Sequence, residues 1–146
     1  MPTISRSALV MHSVDQMFDL INDIAKYPEF LPDCNDSKVI ACDGNTVTAA
    51  LLVSKGGLSK WFTTKNTLIS NEQIHLDLVN GPFRKLQGNW TFTPLSEDSC
   101  KVCLELEYEF SNKVVSFAFG KVFNHFSNSL VQVFTQRAKH VYGTGN

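Results

Sequence analysis

The sequence predicts an α+β domain in which a curved, seven-stranded antiparallel sheet wraps around one long C-terminal helix, with two short helices after the first strand. Three observations support this prediction. Apolar residues recur at helical spacing over about residues 112–142, and they alternate with period two over most of residues 38–110. No repeat, linker or low-complexity segment interrupts the chain, so residues 1–146 are predicted to form a single domain.

The first 32 residues predict a strand, a short helix and a break. Residues 3–11 alternate as a strand, and Ser13 with Gln16 forms a capping box that starts a helix. Apolar residues then follow at helical spacing as far as Ile24. Pro28 and Pro32 cannot continue that helix, because proline lacks the backbone donor, although Pro28 suits the first position of one more helical turn.

Six strands are predicted next, joined by short turns rich in Gly, Asn and Ser. They cover residues 38–42, 46–54, 58–69, 73–79, 83–94 and a last strand that ends at Phe110. The last strand alternates most clearly, since Cys103 and three glutamates face water between its inward positions. Those inward positions are Val102, Leu104, Leu106, Tyr108 and Phe110.

The C-terminal helix carries its apolar residues within about a third of its circumference, and thirty residues make a rod of roughly 45 Å. Phe117 and Val131 fall on its polar side and are expected to be exposed. Gly120 weakens the helix interior by about 1 kcal/mol relative to alanine, which indicates a kink or close packing. Arg137 projects from the middle of the apolar arc. Its guanidinium must therefore pair with a carboxylate, reach water from the helix end, or face a cavity.

Composition excludes several classes of function. A net charge of -1 excludes a globally basic nucleic-acid binder, although residues 110–146 hold four basic side chains and no acidic one. Four cysteines are too few for a disulfide framework, and Cys100 and Cys103 point to opposite faces of a strand. The chain has neither a signal-like N-terminus nor an apolar run near the ~18 residues of a membrane span. A cytoplasmic protein that does not span a membrane is expected.

Catalysis is not expected either. The four histidines are dispersed, and no Ser/His/Asp arrangement, metal-ligand spacing or phosphate-binding loop is present. The sequence therefore predicts a protein that is not an enzyme, with no catalytic residues, no metal and no cofactor.

The predicted layout is that of the helix-grip, or START-like, fold, and particular residues resemble one group within it. The chain resembles the bacterial ribosome-association toxins and the related mitochondrial coenzyme Q-binding proteins, in the polyketide cyclase/START-like superfamily. The resemblance is carried by Tyr27-Pro28-Glu29-Phe30-Leu31-Pro32, by Gly81-Pro82-Phe83-Arg84-Lys85-Leu86 with Trp90, and by Arg137-Ala138 in the last helix. It covers almost the whole chain.

The resemblance implies a binding protein that holds ubiquinone or another polyisoprenoid lipid and supports respiration. Aromatic side chains on facing elements agree with a cavity for such a ligand between the sheet and the long helix. Tyr27, Phe30 and Leu31 are expected to form its lid. The remaining expected cavity residues are Phe83, Leu86, Trp90, Phe119, Phe123, Phe126 and Arg137. For any single phenylalanine, a place in the ordinary core remains the alternative.

The same resemblance implies a second role, as a toxin that binds the large ribosomal subunit and blocks subunit joining. Lys55, Lys60 and Lys65 lie on one predicted hairpin with Trp61 between them, which suits contacts to phosphates and unstacked bases. A soluble sheet edge is the alternative explanation for these lysines. The partners expected are thus a hydrophobic small molecule, the large ribosomal subunit and an antitoxin protein, with the chain itself a monomer. The two roles are compatible.

Overall fold

The computed structural model describes residues 3–143, which form seven strands, two α-helices and one 3₁₀ helix. Strand β1 spans Thr3–Val10, helix α1 spans Val14–Asn22, and the 3₁₀ helix spans Ile24–Glu29. The other strands are β2 (Cys34–Asp43), β3 (Thr46–Lys55), β4 (Leu58–Ile69), β5 (Gln73–Asn80), β6 (Phe83–Ser96) and β7 (Ser99–Phe110). Helix α2 spans Lys113–Tyr142.

The strands form one antiparallel sheet in the order β1-β7-β6-β5-β4-β3-β2. Strands β2 to β7 form a meander in which each strand pairs with the next one in the chain. Strand β1 joins the sheet beside β7, with pairs from Thr3↔Glu107 to Val10↔Cys100. Strands β1 and β2 are therefore the two edges. The predicted seven-stranded α+β architecture is confirmed.

Helix α2 packs against the concave face of the sheet, which the inward positions of β7 and β6 line. Asn112 caps the helix by accepting the backbone N–H of Val115 at 2.9 Å. Phe119, Phe123, Phe126 and Phe134 of α2 are buried, and a network of aromatic rings connects them to the sheet. Phe123 lies at the centre of this network, with ring centroids of Phe83 and Tyr108 both 4.8 Å away.

Phe117 and Val131 were both expected at the surface of α2, and they behave differently. Phe117 is 92% exposed, as expected, whereas Val131 is only 5% exposed, so that prediction was wrong. Val131 lies beside the edge strand β1, where it shares a groove with Ala8 and the exposed Arg6. Helix α2 therefore buries a wider arc than the sequence pattern indicates, because β1 covers it from the side.

Two element boundaries also differ from the predicted ones. Strand β2 starts at Cys34 rather than at residue 38, since irregular pairing lets it follow β3 as far as Val53. Pro28 lies near the end of a 3₁₀ helix instead of starting a helical turn. That helix begins at Ile24, directly after α1, so the two predicted short helices are nearly continuous. Within residues 3–143, no helix is long and apolar enough to cross a membrane.

Candidate functional site

A cavity of about 70 Å³ lies between the sheet and α2, in the place where the sequence predicts a ligand site. Its walls come from β3, β4, β5, β6 and β7 on one side and from α2 on the other, and the 3₁₀ helix covers one end. Most of the surface is apolar. The lining residues are Ile24, Tyr27, Ala49, Leu51, Phe62, Thr64, Asn66, Leu76, Leu86, Trp90, Leu104, Leu106, Phe123, Phe126, Ser127, Leu130 and Phe134.

Five of the ten expected cavity residues line this space. They are Tyr27, Leu86, Trp90, Phe123 and Phe126. Tyr27 reaches the cavity from the 3₁₀ helix, whereas the other four combine an inward-facing position with a place in the middle of β6 or α2. The alternation pattern alone identifies the first of these two properties.

The other five expected residues lie outside the lining. Phe83 and Phe119 belong to a packed aromatic cluster around Phe110, in which Phe83 stacks on Phe110 at 5.2 Å between ring centroids. This cluster fills the space where β7 leads into α2, so these side chains are core. Leu31 is buried in the core, and Phe30 and Arg137 contact each other instead of the cavity.

The segment over the cavity end, residues 24–31, is called the lid here. Tyr27 and Phe30 of the lid pack against Phe134 of α2 with ring centroids 5.3 and 5.6 Å apart, and Trp90 meets Phe134 from the sheet at 5.5 Å. The hydroxyl of Tyr27 donates to the backbone oxygen of Ile21. Phe134, which the sequence analysis did not assign to the site, is thus the point where lid, helix and sheet meet.

Arg137 takes the first of the three arrangements left open for it. Its Nη2 lies 4.0 Å from Oε1 of Glu29, and its guanidinium carbon lies 4.6 Å from the centroid of the Phe30 ring. Cation–π contact with an aromatic face favours such an arrangement. Arg137 therefore fastens the lid to α2 from outside the cavity.

Three buried polar side chains in the cavity wall were missed by the sequence analysis: Thr64, Asn66 and Ser127, whose hydroxyl donates to the backbone oxygen of Phe123 within α2 at 2.5 Å. Thr64 and Asn66 are inward neighbours on β4, and Thr64 Oγ1 donates to Asn66 Oδ1 at 2.7 Å. That bond occupies the amide oxygen of Asn66, so the two N–H donors of the amide take no part in it. Buried polar groups require partners, and the Thr64–Asn66 pair in a mostly apolar wall indicates a place for a polar atom of a ligand. Their even spacing along β4 was the signal in the sequence.

The titratable groups near the cavity are held neutral. Burial raises the pKa of the Tyr27 hydroxyl far above its usual range, and the negative forms of Cys34 and Asp23 add to this shift. Burial likewise raises the pKa of the Cys34 thiol, next to the lid, to about 11. Neither group is ionised near neutral pH, so neither is poised as a base or a nucleophile there.

The residues of the expected ribosome-binding hairpin lie on its two different faces. The β3–β4 register pairs Lys60 with the buried Val53 and Lys55 with Leu58, so these lysines project on the concave side, beyond the end of the core. Lys65 and Trp61 project on the convex side. There Nζ of Lys38 lies 4.6 Å from the Trp61 ring centroid, so the convex group is Lys38, Trp61 and Lys65.

Comparison with known proteins agrees with this architecture. Residues 10–135 match the family described as polyketide cyclase / dehydrase and lipid transport. The ribosome association toxin RatA of Escherichia coli K12 is 51% identical over 97% of this chain and 90% of that protein. The mitochondrial coenzyme Q-binding protein COQ10 homolog B of Xenopus laevis is 28% identical over 95% of this chain and 59% of that protein.

Solved structures extend the likeness to enzymes that share only the fold. The Zhui aromatase/cyclase of Streptomyces sp. R1128 superposes with a TM-score of 0.82, covering 95% of this chain and 94% of that one, at 12% identity. At such identity the likeness concerns the fold alone. The resemblance stated from the sequence is confirmed: the chain belongs to the polyketide cyclase, dehydrase and lipid-transport family, where it groups with the ribosome association toxins.

Proposed function

We propose that this chain is a non-enzymatic binding protein whose cavity holds a hydrophobic ligand of the ubiquinone or polyisoprenoid class. The observation that carries the proposal is the Thr64–Asn66 pair inside an aromatic and aliphatic wall. A quinone combines a flat apolar ring with carbonyl oxygens that accept hydrogen bonds, and the Asn66 amide supplies donors for such an oxygen. The name of the Xenopus relative, a coenzyme Q-binding protein, supports the same ligand class.

The size of the cavity determines how such a ligand would enter. About 70 Å³ is well below the several hundred Å³ of a typical ligand pocket, so the cavity must widen to take a quinone ring. Three side-chain polar contacts hold the lid to the rest of the chain: the Tyr27 hydroxyl bond, a bond from the Ser37 hydroxyl to the backbone oxygen of Ile24 at 2.9 Å, and the long Arg137–Glu29 pair. We therefore propose that ligand entry displaces residues 24–31 from Phe134.

The chemistry of the wall favours binding over catalysis. Acid–base catalysis needs a group whose pKa lies near the working pH and within reach of the substrate. Tyr27 is the one ionisable residue among those lining the cavity, and its pKa is raised far above neutrality. Support of respiration by quinone handling is the physiological role that follows from this proposal.

Titration with a short-chain ubiquinone, followed by backbone amide shifts, tests the proposal. We expect saturable shifts at Thr64, Asn66 and Trp90 and in the lid. Replacing Asn66 with leucine keeps the branching of the side chain at Cγ but removes the donors, and we expect it to weaken binding about five- to tenfold. Gln87→Leu, on the opposite face of the sheet, is the matched control and should bind as the parent does.

The absence of shifts around the cavity at millimolar quinone would contradict the proposal. Equal binding by the Asn66→Leu variant and the parent would contradict the assigned polar contact. Thermal unfolding of each variant without ligand separates a loss of binding from a loss of folding.

Association with the large ribosomal subunit is the second candidate function. It is favoured by the name of the E. coli relative, which matches 97% of this chain at 51% identity, and it would place the protein in the cytoplasm. Lys38, Trp61 and Lys65 on the convex face provide cations beside an aromatic ring, a combination suited to RNA. This role uses the outside of the sheet and does not compete with the cavity. An antitoxin partner belongs to the same hypothesis.

Replacing Lys38 and Lys65 with glutamine together is expected to weaken association with purified large subunits. It should also reduce the slope of log affinity against log salt by about 0.7–0.9 per lost phosphate contact. Cosedimentation over a range of salt concentrations measures both effects. The matched control is Lys55→Gln with Lys60→Gln, which removes the same charge from the other face. If the control pair has the larger effect, the concave side of the hairpin makes the contact; unchanged binding in both pairs excludes the hairpin.

A further inference from the structure

The first two turns of α2 carry an apolar patch that no part of the described chain covers. Val114 is 78% exposed. Phe117 is 92% exposed, far more than the other phenylalanines of this helix, which are buried. At 100° per residue, these two side chains and those of Lys113 and Lys121 fall within an arc of about 100°. This arc lies opposite the buried face that contains Phe119 and Phe123.

The β3–β4 turn brings further residues of the same kind to this end of the sheet. Strand β7 ends here at Phe110, β6 starts here at Phe83 opposite it, and the antiparallel order places the start of β4 and the end of β3 at the same end. Leu58 is 39% exposed in this turn, beside Lys55 and Lys60 on the concave side. We call the set Lys55, Leu58, Lys60, Lys113, Val114, Phe117 and Lys121 the basic apolar end.

Charge at the basic apolar end is mostly positive, although Asp33 and Asp36 at the start of β2 lie beside the last residues of β3. None of its four lysines forms an ion pair with a residue in the range 3–143. The sequence has no acidic residue from position 53 to 71 or from position 110 to 146. Arg84, which is also at this end, is already paired with Glu109 at 3.2 Å. Unpaired cations around exposed apolar side chains complement a surface that is anionic outside and apolar beneath.

We propose that the basic apolar end docks on an anionic lipid surface. Phe117 and Val114 would enter the region between headgroups and acyl chains, and the lysines would lie against headgroup phosphates. The inference deepens the proposed function and in part rests on it, because a quinone-type ligand must be collected from a bilayer. Phe123 and Phe126, which line the cavity, follow on the same helix, so docking would place the ligand site close to the membrane.

The side chains present fit this occupant better than an RNA or a protein. Base stacking uses aromatic rings, so Val114 and Leu58 would contribute little to RNA binding. Protein interfaces are depleted in lysine, whereas four of the seven residues of this end are lysine. The contrast with the far end of the sheet supports the choice. There the exposed Leu95 is followed closely by Glu97 and Asp98, which an anionic membrane would repel.

Cosedimentation with vesicles that contain no quinone tests the proposal independently of the ligand. We expect binding to phosphatidylcholine vesicles containing a third phosphatidylglycerol, weaker binding at high salt, and little binding to pure phosphatidylcholine. Replacing Phe117 with alanine should lower the partition coefficient about tenfold or more. Each of Lys113→Gln and Lys121→Gln should lower it about fivefold. Leu95→Ala and Lys101→Gln, at the far end of the sheet, are the matched controls and should bind as the parent does.

Phe117→Leu separates insertion into lipid from stacking on a base. The leucine variant should retain most of the vesicle binding, because it remains apolar, whereas a stacking role would be lost. Failure of the parent to bind the anionic vesicles overturns the proposal, as does equal binding by Phe117→Ala. Loss of large-subunit association in Phe117→Ala without any vesicle binding would instead assign this end to RNA. Vesicle binding by a protein that shows no quinone shifts would reject the proposed ligand while keeping the docking surface.

Discussion

Replacing Phe123 with alanine is expected to lower the free energy of unfolding by about 3–5 kcal/mol. Phe123 is 1% exposed and joins α2 to the sheet, with ring centroids of Phe62, Phe83 and Tyr108 at 5.6, 4.8 and 4.8 Å. The loss has two sources. The truncated side chain no longer buries its apolar area, and the surrounding rings belong to both layers, so they cannot close the space without moving the helix. Edge-to-face contacts with these rings are lost as well.

Urea denaturation of the parent, Phe123→Ala and Phe117→Ala measures this effect with an internal control. Phe117 is a phenylalanine of the same helix, but it is 92% exposed, so its replacement should change stability by no more than about 0.5 kcal/mol. The m-values should remain equal, which would show that the denatured states are comparable. A loss well below 1 kcal/mol in Phe123→Ala would mean that the assigned buried face of α2 is wrong.

The elements with long, regular patterns were predictable from the sequence. Strand β7 alternates strictly from Val102 to Phe110, and every inward position is buried as expected. Helix α2 follows from its periodicity, and the structure adds that Asn112 caps it. The burial of Val131 was not predictable in this way. A helical pattern identifies the face toward one sheet, but it does not report an edge strand that covers the helix from the side.

The candidate site was predictable only in part, because alternation gives the face of a side chain and not its depth. Phe83 and Trp90 both point inward on β6, yet Phe83 fills the aromatic cluster while Trp90 lines the cavity. Which of the two side chains borders the cavity depends on the curvature of the sheet and on the angle at which α2 crosses it. Both are properties of the assembled layers.

The polar and charged parts of the site were missed for a related reason. The even spacing of Thr64 and Asn66 from Phe62 places them on the inward face of β4, but their pairing and burial are visible only in the structure. The lysines of the β3–β4 hairpin were grouped because they are close in the chain. Lys60 and Lys65 are five positions apart, an odd number, so they lie on opposite faces of the strand. Counting odd and even positions along β4 in the sequence would have assigned these two lysines to opposite faces.

Gly88 is the position at which adding a single methyl group is expected to be most damaging. It lies inward on β6 opposite Leu106, and a Cβ there would collide with the backbone oxygen of Glu105 and come within 2.9 Å of Leu106 Cδ1. The carbonyl belongs to the paired strand and cannot turn away without breaking the ladder. Glycine inside a strand marks such a close approach of backbones. We expect Gly88→Ala to destabilise the fold by about 1–3 kcal/mol or more.

Gly120→Ala provides the opposite result with the same chemical change. A Cβ at Gly120, inside α2, would meet Phe110 Cε2 at 3.7 Å and Ser116 Oγ at 3.9 Å, which are ordinary contact distances. Alanine also restricts the unfolded chain and favours helix, so this variant should gain up to about 1 kcal/mol. Both variants receive the benefit from the unfolded state, so the difference between their unfolding free energies reflects the collision at Gly88 together with the helix preference of alanine at position 120. Denaturant midpoints that move in opposite directions support the assigned β6–β7 register, because that register alone brings the Glu105 carbonyl against Gly88. A Gly88→Ala variant as stable as the parent would show that the two strands are farther apart, or differently aligned, at this point.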